Sequence, residues 1–209
     1  MEKPASIRCV RCDEPLADEG AEICGRCRVV PPPFAYLRAA APYRGAARDV
    51  LLAFKFRGAD YLARHLARLM RRRLPPPKGM LEVTSVPGRK SLWRRDEHAA
   101  ELLGEAVAAS LGLPFAPRRL EKVRPTRRQS GLPLARRESN VRGAFRARGR
   151  APTSVLLVDD VATSGATARE CALRLRRAGA SRVLVWCFAR ASRLDTLLTP
   201  PEDVRDEEK

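Results

Sequence analysis

The chain has 209 residues, of which 44% are hydrophobic and 31% charged, and this balance excludes a mostly disordered or collagen-like protein. A chain of this length has room for one main domain with a full core and a small additional module. Its formal net charge of +17 favours association with phosphate-rich partners such as nucleic acid. The alternative is a compositional bias, because the basic residues are mostly arginine and are spread along the chain.

The first residues of the chain contain no apolar run of the kind found in signal peptides. No segment approaches the roughly 18 consecutive apolar residues of a membrane span. We therefore expect a cytoplasmic protein without a membrane span. Six cysteines in such a compartment are more typical of metal binding than of disulfides, and Cys171 and Cys187 are expected to be buried.

The N-terminal segment 1–32 is predicted to be a small zinc-ribbon module. Its cysteines form two CxxC pairs, Cys9 with Cys12 and Cys24 with Cys27, among few apolar residues. A segment without a core needs a cross-link or a metal, and four thiolates at about 2.3 Å satisfy tetrahedral Zn²⁺. A redox role for one pair is the alternative. The module is also a candidate docking site for nucleic acid or protein.

Three consecutive prolines, beginning at Pro31, form a stiff connector to the main domain, which we place at 33–195. Within it, the spacing of apolar residues distinguishes helices from strands. Helices are predicted over 46–56, 59–73 and 97–111, and a buried strand over 81–86. Strands and helices thus alternate, which is typical of an α/β fold.

The span 121–150 is predicted to be a mobile arm or loop, because it is rich in arginine and has no sustained periodicity. A βαβ unit follows, with strands over 155–158 and 182–188 and a helix over 166–178. The tail 196–209 is acidic and poor in apolar residues, which predicts disorder.

The stretch VLLVDDVATSGAT, residues 155–167, is predicted to contain the ligand-binding site. Its apolar strand is buried on both faces and delivers Asp159 and Asp160 to the sheet edge where α/β proteins bind ligands. Small and hydroxyl-bearing residues follow where a helix begins, and free backbone N–H groups there favour a phosphate. Gly165 lets the backbone approach closely. The residues of this stretch that are predicted to bind the ligand are Val161, Ala162, Thr163, Ser164, Gly165, Ala166 and Thr167.

Two adjacent acids beside this loop need a positive or hydroxyl-rich complement, such as Mg²⁺ or a ribose diol. The alternative is that Ser164 or Thr163 only caps the helix while the acids are solvated, which leaves the acid pair unexplained. Lys55, on an apolar helix face, is a candidate to reach the site. Its alternative is a side chain that extends past its neighbours to solvent.

The stretch resembles the signature of the type I phosphoribosyltransferases: a hydrophobic strand, two acids, a variable pair and a Thr/Ser-Gly-x-Thr loop. The glycine patterns of Rossmann and P-loop proteins are absent from the chain. The resemblance implies a parallel sheet flanked by helices, phosphoribosyl pyrophosphate as ligand, and Mg²⁺. It implies that Asp159 and Asp160 are the catalytic acids, which contact the ribose hydroxyls directly or through Mg²⁺. A transferase of this type exchanges pyrophosphate for an acceptor, which no base-binding motif identifies here.

Together with the four-cysteine ribbon, the chain is similar to the competence protein F (ComF) family over nearly residues 9–190. The supporting stretches are 42–45, 52–58 and 62–63, with the spaced residues Thr126, Gln129, Leu132, Arg137, Asn140, Val141, Ala144 and Phe145. The resemblance implies a role in natural transformation, where single-stranded DNA is handled beside a competence helicase.

The segment 85–98 departs from the family pattern, because a glycine and an aromatic residue are missing after the strand. In the family this region forms the pyrophosphate loop and the edge of the hood over the sugar, so the change bears on pyrophosphate binding and turnover. Four basic residues still offer positive charge there, unless they form a solvated basic face. These residues are Arg89, Lys90, Arg94 and Arg95.

Three functions follow from these patterns. The first is a phosphoribosyl-binding protein of DNA uptake, which acts as a transferase or retains only binding. The second is a non-catalytic nucleic-acid adaptor whose loop receives a DNA phosphate. The third is a regulator in which phosphoribosyl pyrophosphate shifts partner binding without chemistry.

Overall fold

The computed structural model describes residues 7–18, 20–88, 98–127 and 133–191, and its elements alternate between helix and strand over most of that length. In chain order they are α1 (Gly25–Val29), β1 (Tyr36–Pro42), α2 (Gly45–Phe56), α3 (Leu62–Arg73), β2 (Glu82–Ser85), α4 (Ala99–Leu111), β3 (Leu120–Lys122), α5 (Leu134–Val141), β4 (Phe145–Ala147), β5 (Ser154–Ala162), α6 (Ala166–Arg177) and β6 (Arg182–Arg190). The predicted tail 196–209 lies outside the described residues.

The main sheet has four parallel strands in the order β1-β6-β5-β2. The central strand β5 is apolar over consecutive positions because both its faces are covered. Leu156 and Val158 pack with residues of α2, α3 and α4, whereas Val155 and Leu157 pack with residues of α6. This arrangement confirms the predicted α/β class, with a parallel sheet flanked by helices.

The described part of 121–150 contains regular structure, so the prediction of a mobile arm is wrong there. β3 and β4 form an antiparallel pair, and α5 lies between them in the chain. Glu121 of β3 accepts hydrogen bonds from Arg146 and Arg148 across this pair. Arg146 and Arg148, which interrupt the apolar spacing of this span, therefore act as ion-pair partners that hold two short strands together. Residues 128–132 lie outside the described residues.

The edge strand β1 was not among the predicted elements. Its sequence, YLRAAAP, contains three alanines, which are weak strand formers, and shows no polar alternation. The N-terminal ribbon covers its outer edge: Leu37 N–H donates to Arg11 O at 2.8 Å, and Ala39 N–H donates to the Asp13 carboxylate at 3.1 Å. The strand is thus fixed by long-range pairing on both sides.

None of the helices within the described ranges is both long enough and apolar enough to cross a membrane.

Candidate functional site

The two acids lie inside β5, which continues four residues beyond the predicted strand end because it stays paired with β6 up to Ala162 and Arg190. Both carboxyl groups are buried. Side chains alternate between the two faces of a strand. Asp159 therefore lies on the α6 face, where its charge adds to burial in raising the pKa of Cys171, and Asp160 lies on the α2 face.

Lys55, in the last turn of α2, contacts Asp160 directly. Its Nζ lies 2.7 Å from Asp160 Oδ2, and both side chains are mostly buried. Burial lowers the pKa of Lys55, but the charge of Asp160 and the hydrogen bond to it outweigh burial, so the pKa of Lys55 is raised. The ammonium group therefore stays charged and turns towards the acids instead of extending to solvent.

Asp159 is in a different electrostatic state. Burial and, next, the charge of Asp160 raise its pKa to about 8, against the opposing charge of Lys55. Its Oδ1 accepts a hydrogen bond from the backbone N–H of Asp160 at 2.9 Å. A second cation or a hydroxyl donor at this edge would favour the ionised carboxylate, because opposite charge stabilises the ionised form of an acid.

The loop after β5 turns through Gly165, whose φ of 72° lies in the left-handed region, and α6 begins at the next residue. Ser164 Oγ accepts a long hydrogen bond of 3.3 Å from Ala166 N–H, so this hydroxyl does contribute to the start of the helix. The first turn of a helix nevertheless presents several N–H groups without partners inside the helix, which is a favourable environment for an anion.

The four predicted metal ligands come together in the N-terminal ribbon. The sulfur atoms of Cys9, Cys12, Cys24 and Cys27 all lie within 4.8 Å of one another, and those of Cys12 and Cys24 are 3.7 Å apart. Four Zn–S bonds of 2.3 Å in a tetrahedron place the sulfurs about 3.8 Å apart, so the cluster fits Zn²⁺. Burial raises the pKa of Cys9, but N–H groups such as that of Cys24 outweigh it and lower the pKa to about 7.

The ribbon and the loop 163–167 are joined by arginines that the sequence did not single out. Arg26 of α1 donates to the backbone oxygen of Ser164 and also pairs with Glu138 of α5. Arg169 of α6 donates to Val30 O at 3.0 Å and to Cys27 Sγ at 3.4 Å. Arg26 lies between the cysteines of a CxxC pair, and no spacing rule indicates such a distant contact.

Arg190, at the end of β6, is a further residue that sequence patterns missed. It is buried, and its Nη2 lies 2.7 Å from Glu14 Oε2 of the ribbon. By contrast, the predicted pyrophosphate residues Arg89, Lys90, Arg94 and Arg95 lie outside the described residues. Cys171 and Cys187 are fully buried, as predicted.

Comparison with curated proteins finds relatives over most of the chain, although no protein-family model matches it. The chain is 33% identical over 192 residues to DNA utilization protein YhgH of Salmonella typhimurium, with 87% of this chain and 83% of that protein covered. It is 32% identical over 178 residues to the protein of the same name in Escherichia coli, covering 77% of it. It is 29% identical over 184 residues to competence protein F of Haemophilus influenzae, covering 80% of it.

Comparison with solved structures returns phosphoribosyltransferases. One is the glutamine phosphoribosylpyrophosphate amidotransferase from B. subtilis complexed with ADP and GMP, with 25% identity, a TM-score of 0.43 and 61% of this chain covered. The match spans 26% of the amidotransferase's length. Another is adenine phosphoribosyltransferase from Leishmania tarentolae, with 14% identity, a TM-score of 0.41, and 76% of this chain and 94% of that chain covered.

Proposed function

We propose that this chain, which belongs to the family of DNA utilization protein YhgH and competence protein F, binds phosphoribosyl pyrophosphate with Mg²⁺. The ligand site is the sheet edge formed by the end of β5 and the start of α6. The observation that carries the proposal is a buried acid pair, neutralised in part by Lys55 and followed at once by a glycine loop at a helix N-terminus. The relatives' names support a role in the handling of DNA.

Each group at this edge has a chemical role in the proposal. The loop 163–167 holds the 5′-phosphate through backbone N–H groups and hydroxyls. Asp159 and Asp160 accept hydrogen bonds from the ribose hydroxyls, or hold Mg²⁺ whose charge would offset that of the pyrophosphate. Lys55 pairs with the Asp160 carboxylate and orients it through the 2.7 Å contact.

The proposal includes transfer of the phosphoribosyl group to an acceptor. In that reaction pyrophosphate leaves C1 of the ribose and a nucleophile enters, through an oxocarbenium-like state. The described residues contribute by holding the ribose in position and by placing carboxylates near the developing positive charge. A protein that keeps only the binding step would instead respond to phosphoribosyl pyrophosphate as a regulator.

Titration calorimetry with phosphoribosyl pyrophosphate and Mg²⁺ tests the binding proposal. We expect heat with the wild type and its loss in Asp159→Asn/Asp160→Asn. Asp49→Asn is the matched control, because Asp49 is an exposed acid on α2. Absence of binding by the wild type would refute the proposal. Pyrophosphate release across bases, nucleosides and single-stranded DNA then separates a transferase from a regulator.

A nucleic-acid adaptor is a second candidate, supported by a basic aromatic surface between α2 and α3. Tyr61 is 71% exposed and Phe56 is 54% exposed. Arg64 and Arg68 are exposed one and two turns along α3 from Tyr61. Bases of single strands stack on exposed aromatic rings, while nearby arginines contact the phosphates.

Single-strand binding at several salt concentrations tests the adaptor function. The affinity should fall steeply with salt, and Tyr61→Ala should weaken it by about ten-fold, since stacking contributes roughly 1–3 kcal/mol per base. Leu81→Ala is the control, because Leu81 is also exposed, at 54%, but lies just before β2 and outside α2 and α3. Affinity that is insensitive to salt and to Tyr61 would contradict this candidate.

A further inference from the structure

A buried arginine beside the loop 163–167 has two nitrogen atoms that find no acceptor in the described part of the chain. Arg190 is only 2% exposed, and its Nη2 contacts Glu14. Among the described residues, no hydrogen-bond partner meets its Nε or its Nη1. Buried donors are almost always paired in native proteins, so an unpaired charged donor indicates a missing acceptor.

The position of the guanidinium points to the loop. In the β5–β6 register Arg190 is opposite Ala162, where the loop begins. A Cβ atom placed on Gly165 would lie 3.7 Å from Arg190 Nη1. Nη1 therefore lies beside the last residue before α6, at the helix end that favours negative charge.

The guanidinium is also held in a fixed orientation and keeps its charge. Burial lowers the pKa of Arg190, but the hydrogen bond and the charge of Glu14 outweigh burial and raise the pKa. Glu14 contacts the Nη2 end, and Nη1 has no acceptor within the ranges that the structure describes. Since Glu14 follows Cys12 in the ribbon, the metal-binding module orients this side chain.

We propose that Arg190 is a phosphate-binding residue: Nη1 donates to a phosphomonoester seated in the loop 163–167, and Glu14 orients the guanidinium for this contact. The inference rests on the proposed function and adds to it a cation from a different strand. It assigns the ribbon a part in phosphate binding, because the ribbon supplies the carboxylate that holds Arg190.

The probe is ribose 5-phosphate, titrated into the full chain without Mg²⁺. Arg190→Met should weaken its binding by about ten-fold or more, the usual effect of losing a hydrogen bond to a charged group. Arg190→Lys should recover part of that loss, because it keeps the charge. Arg182→Met is the control, since Arg182 is exposed at the opposite end of β6 and should bind like the wild type.

Glu14→Gln separates a binding role from a structural one. Glutamine can still accept a hydrogen bond from Nη2 but no longer offsets the charge of Arg190, so affinity should stay at or above that of the wild type. A loss of affinity in Glu14→Gln, or unchanged affinity in folded Arg190→Met, would overturn the inference. If Arg190→Met does not fold, the affinities of Arg190→Lys and Glu14→Gln for ribose 5-phosphate still test the inference.

The two proposals fail in different ways. Wild type that binds ribose 5-phosphate in an Arg190-dependent manner, but not phosphoribosyl pyrophosphate with Mg²⁺, would refute the proposed function and support the inference. If the wild type binds both ligands and the binding does not depend on Arg190, the inference is refuted and the proposed function is supported. Wild type that binds neither ligand would overturn both.

Discussion

At the scale of residues, the two neighbouring acids of β5 lie in different electrostatic surroundings. Asp160 has a cation 2.7 Å away, whereas Asp159 lies on the other face with its pKa raised to about 8. The fold itself therefore supplies one carboxyl group with a cationic partner. The other gains most from a ligand that brings positive charge or hydroxyl donors.

Lys55→Met should destabilise the protein by about 2 kcal/mol at pH 7, because it leaves Asp160 buried without its cation. The expected cost is below the roughly 3–5 kcal/mol of a fully buried pair, since both side chains keep some exposure. Urea unfolding measures the change, with Lys78→Met as an exposed control. Lys55→Met/Asp160→Asn should recover part of the loss, and strict additivity would contradict the pairing.

The buried state of Asp159 predicts how stability depends on pH. Its folded pKa of about 8 is above the ordinary value of 3.8, so the folded state holds the proton more tightly than the unfolded state. The free energy of unfolding should therefore fall as pH rises from about 4 through 8, by at least about 1.4 kcal/mol, the equivalent of one pKa unit. Asp159→Asn should flatten this decline in urea unfolding, and Asp49→Asn should not. An unchanged slope in Asp159→Asn would contradict the assignment.

Sequence patterns identified the two acids, Gly165 and the four cysteines because each of them belongs to a motif whose residues lie close together in the chain. They gave no signal for Arg26, Arg169 or Arg190, whose partners lie more than one hundred residues away in the chain. In a chain with 41 basic residues, an arginine with a buried partner looks like any other. Such contacts depend on how the ribbon packs, which no local pattern encodes.

At the scale of elements, the turn between β5 and α6 depends on the backbone of Gly165. Its φ of 72° is costly for a residue with a Cβ atom, although the nearest contact of that atom would be an ordinary 3.7 Å. Gly165→Ala should therefore destabilise the protein by about 1 kcal/mol and weaken phosphate binding. Gly165→Asn should cost less, because asparagine tolerates this conformation.

Thermal unfolding and ribose 5-phosphate titration measure both effects. Gly25→Ala is the control, since a Cβ atom there has open space and the backbone is not left-handed. If Gly165→Ala matched the wild type in both measurements, the turn would not need a glycine.

The elements that sequence predicted well are those whose own apolar pattern determines them. The continuous apolar run of β5 and the helical spacing of α3 each specify one conformation. β1 was missed because three of its seven residues are alanine, and the β3–β4 pair because each strand has only three residues. In both cases the strand partners stabilise the conformation from a distance in the chain. The extension of β5 to Ala162 likewise depends on β6 and not on the residues of β5 alone.

At the scale of the whole molecule, the N-terminal module is packed against the site. It covers the edge of β1, contacts Ser164 through Arg26, and holds Arg190 through Glu14. Composition alone suggests an independent unit joined by a proline connector. The contacts instead join the ribbon to the loop 163–167 and to Arg190 beside it.

Metal removal tests this coupling. Reduced protein should contain about one zinc per chain, because four thiolates saturate one tetrahedral ion. Chelation should unfold the ribbon, which has little core of its own, and should release the contacts of Arg26 and Arg169. Hydrogen exchange should then accelerate in the first turn of α6 as well as in the ribbon, while α3 and α4, which pack against each other, keep their protection.

Arg26→Ala distinguishes coupling through this contact from general destabilisation. The variant retains all four cysteines, so it should keep its zinc and still show faster exchange at residues 163–167, because the donor to Ser164 O is gone. Arg28→Ala is the matched control, since Arg28 lies on the same short helix and, within the described ranges, its guanidinium donates to Ile23 O of the ribbon. If chelation frees the ribbon while the loop exchanges at the wild-type rate, the ribbon is an independent module and its contacts do not support the phosphate site.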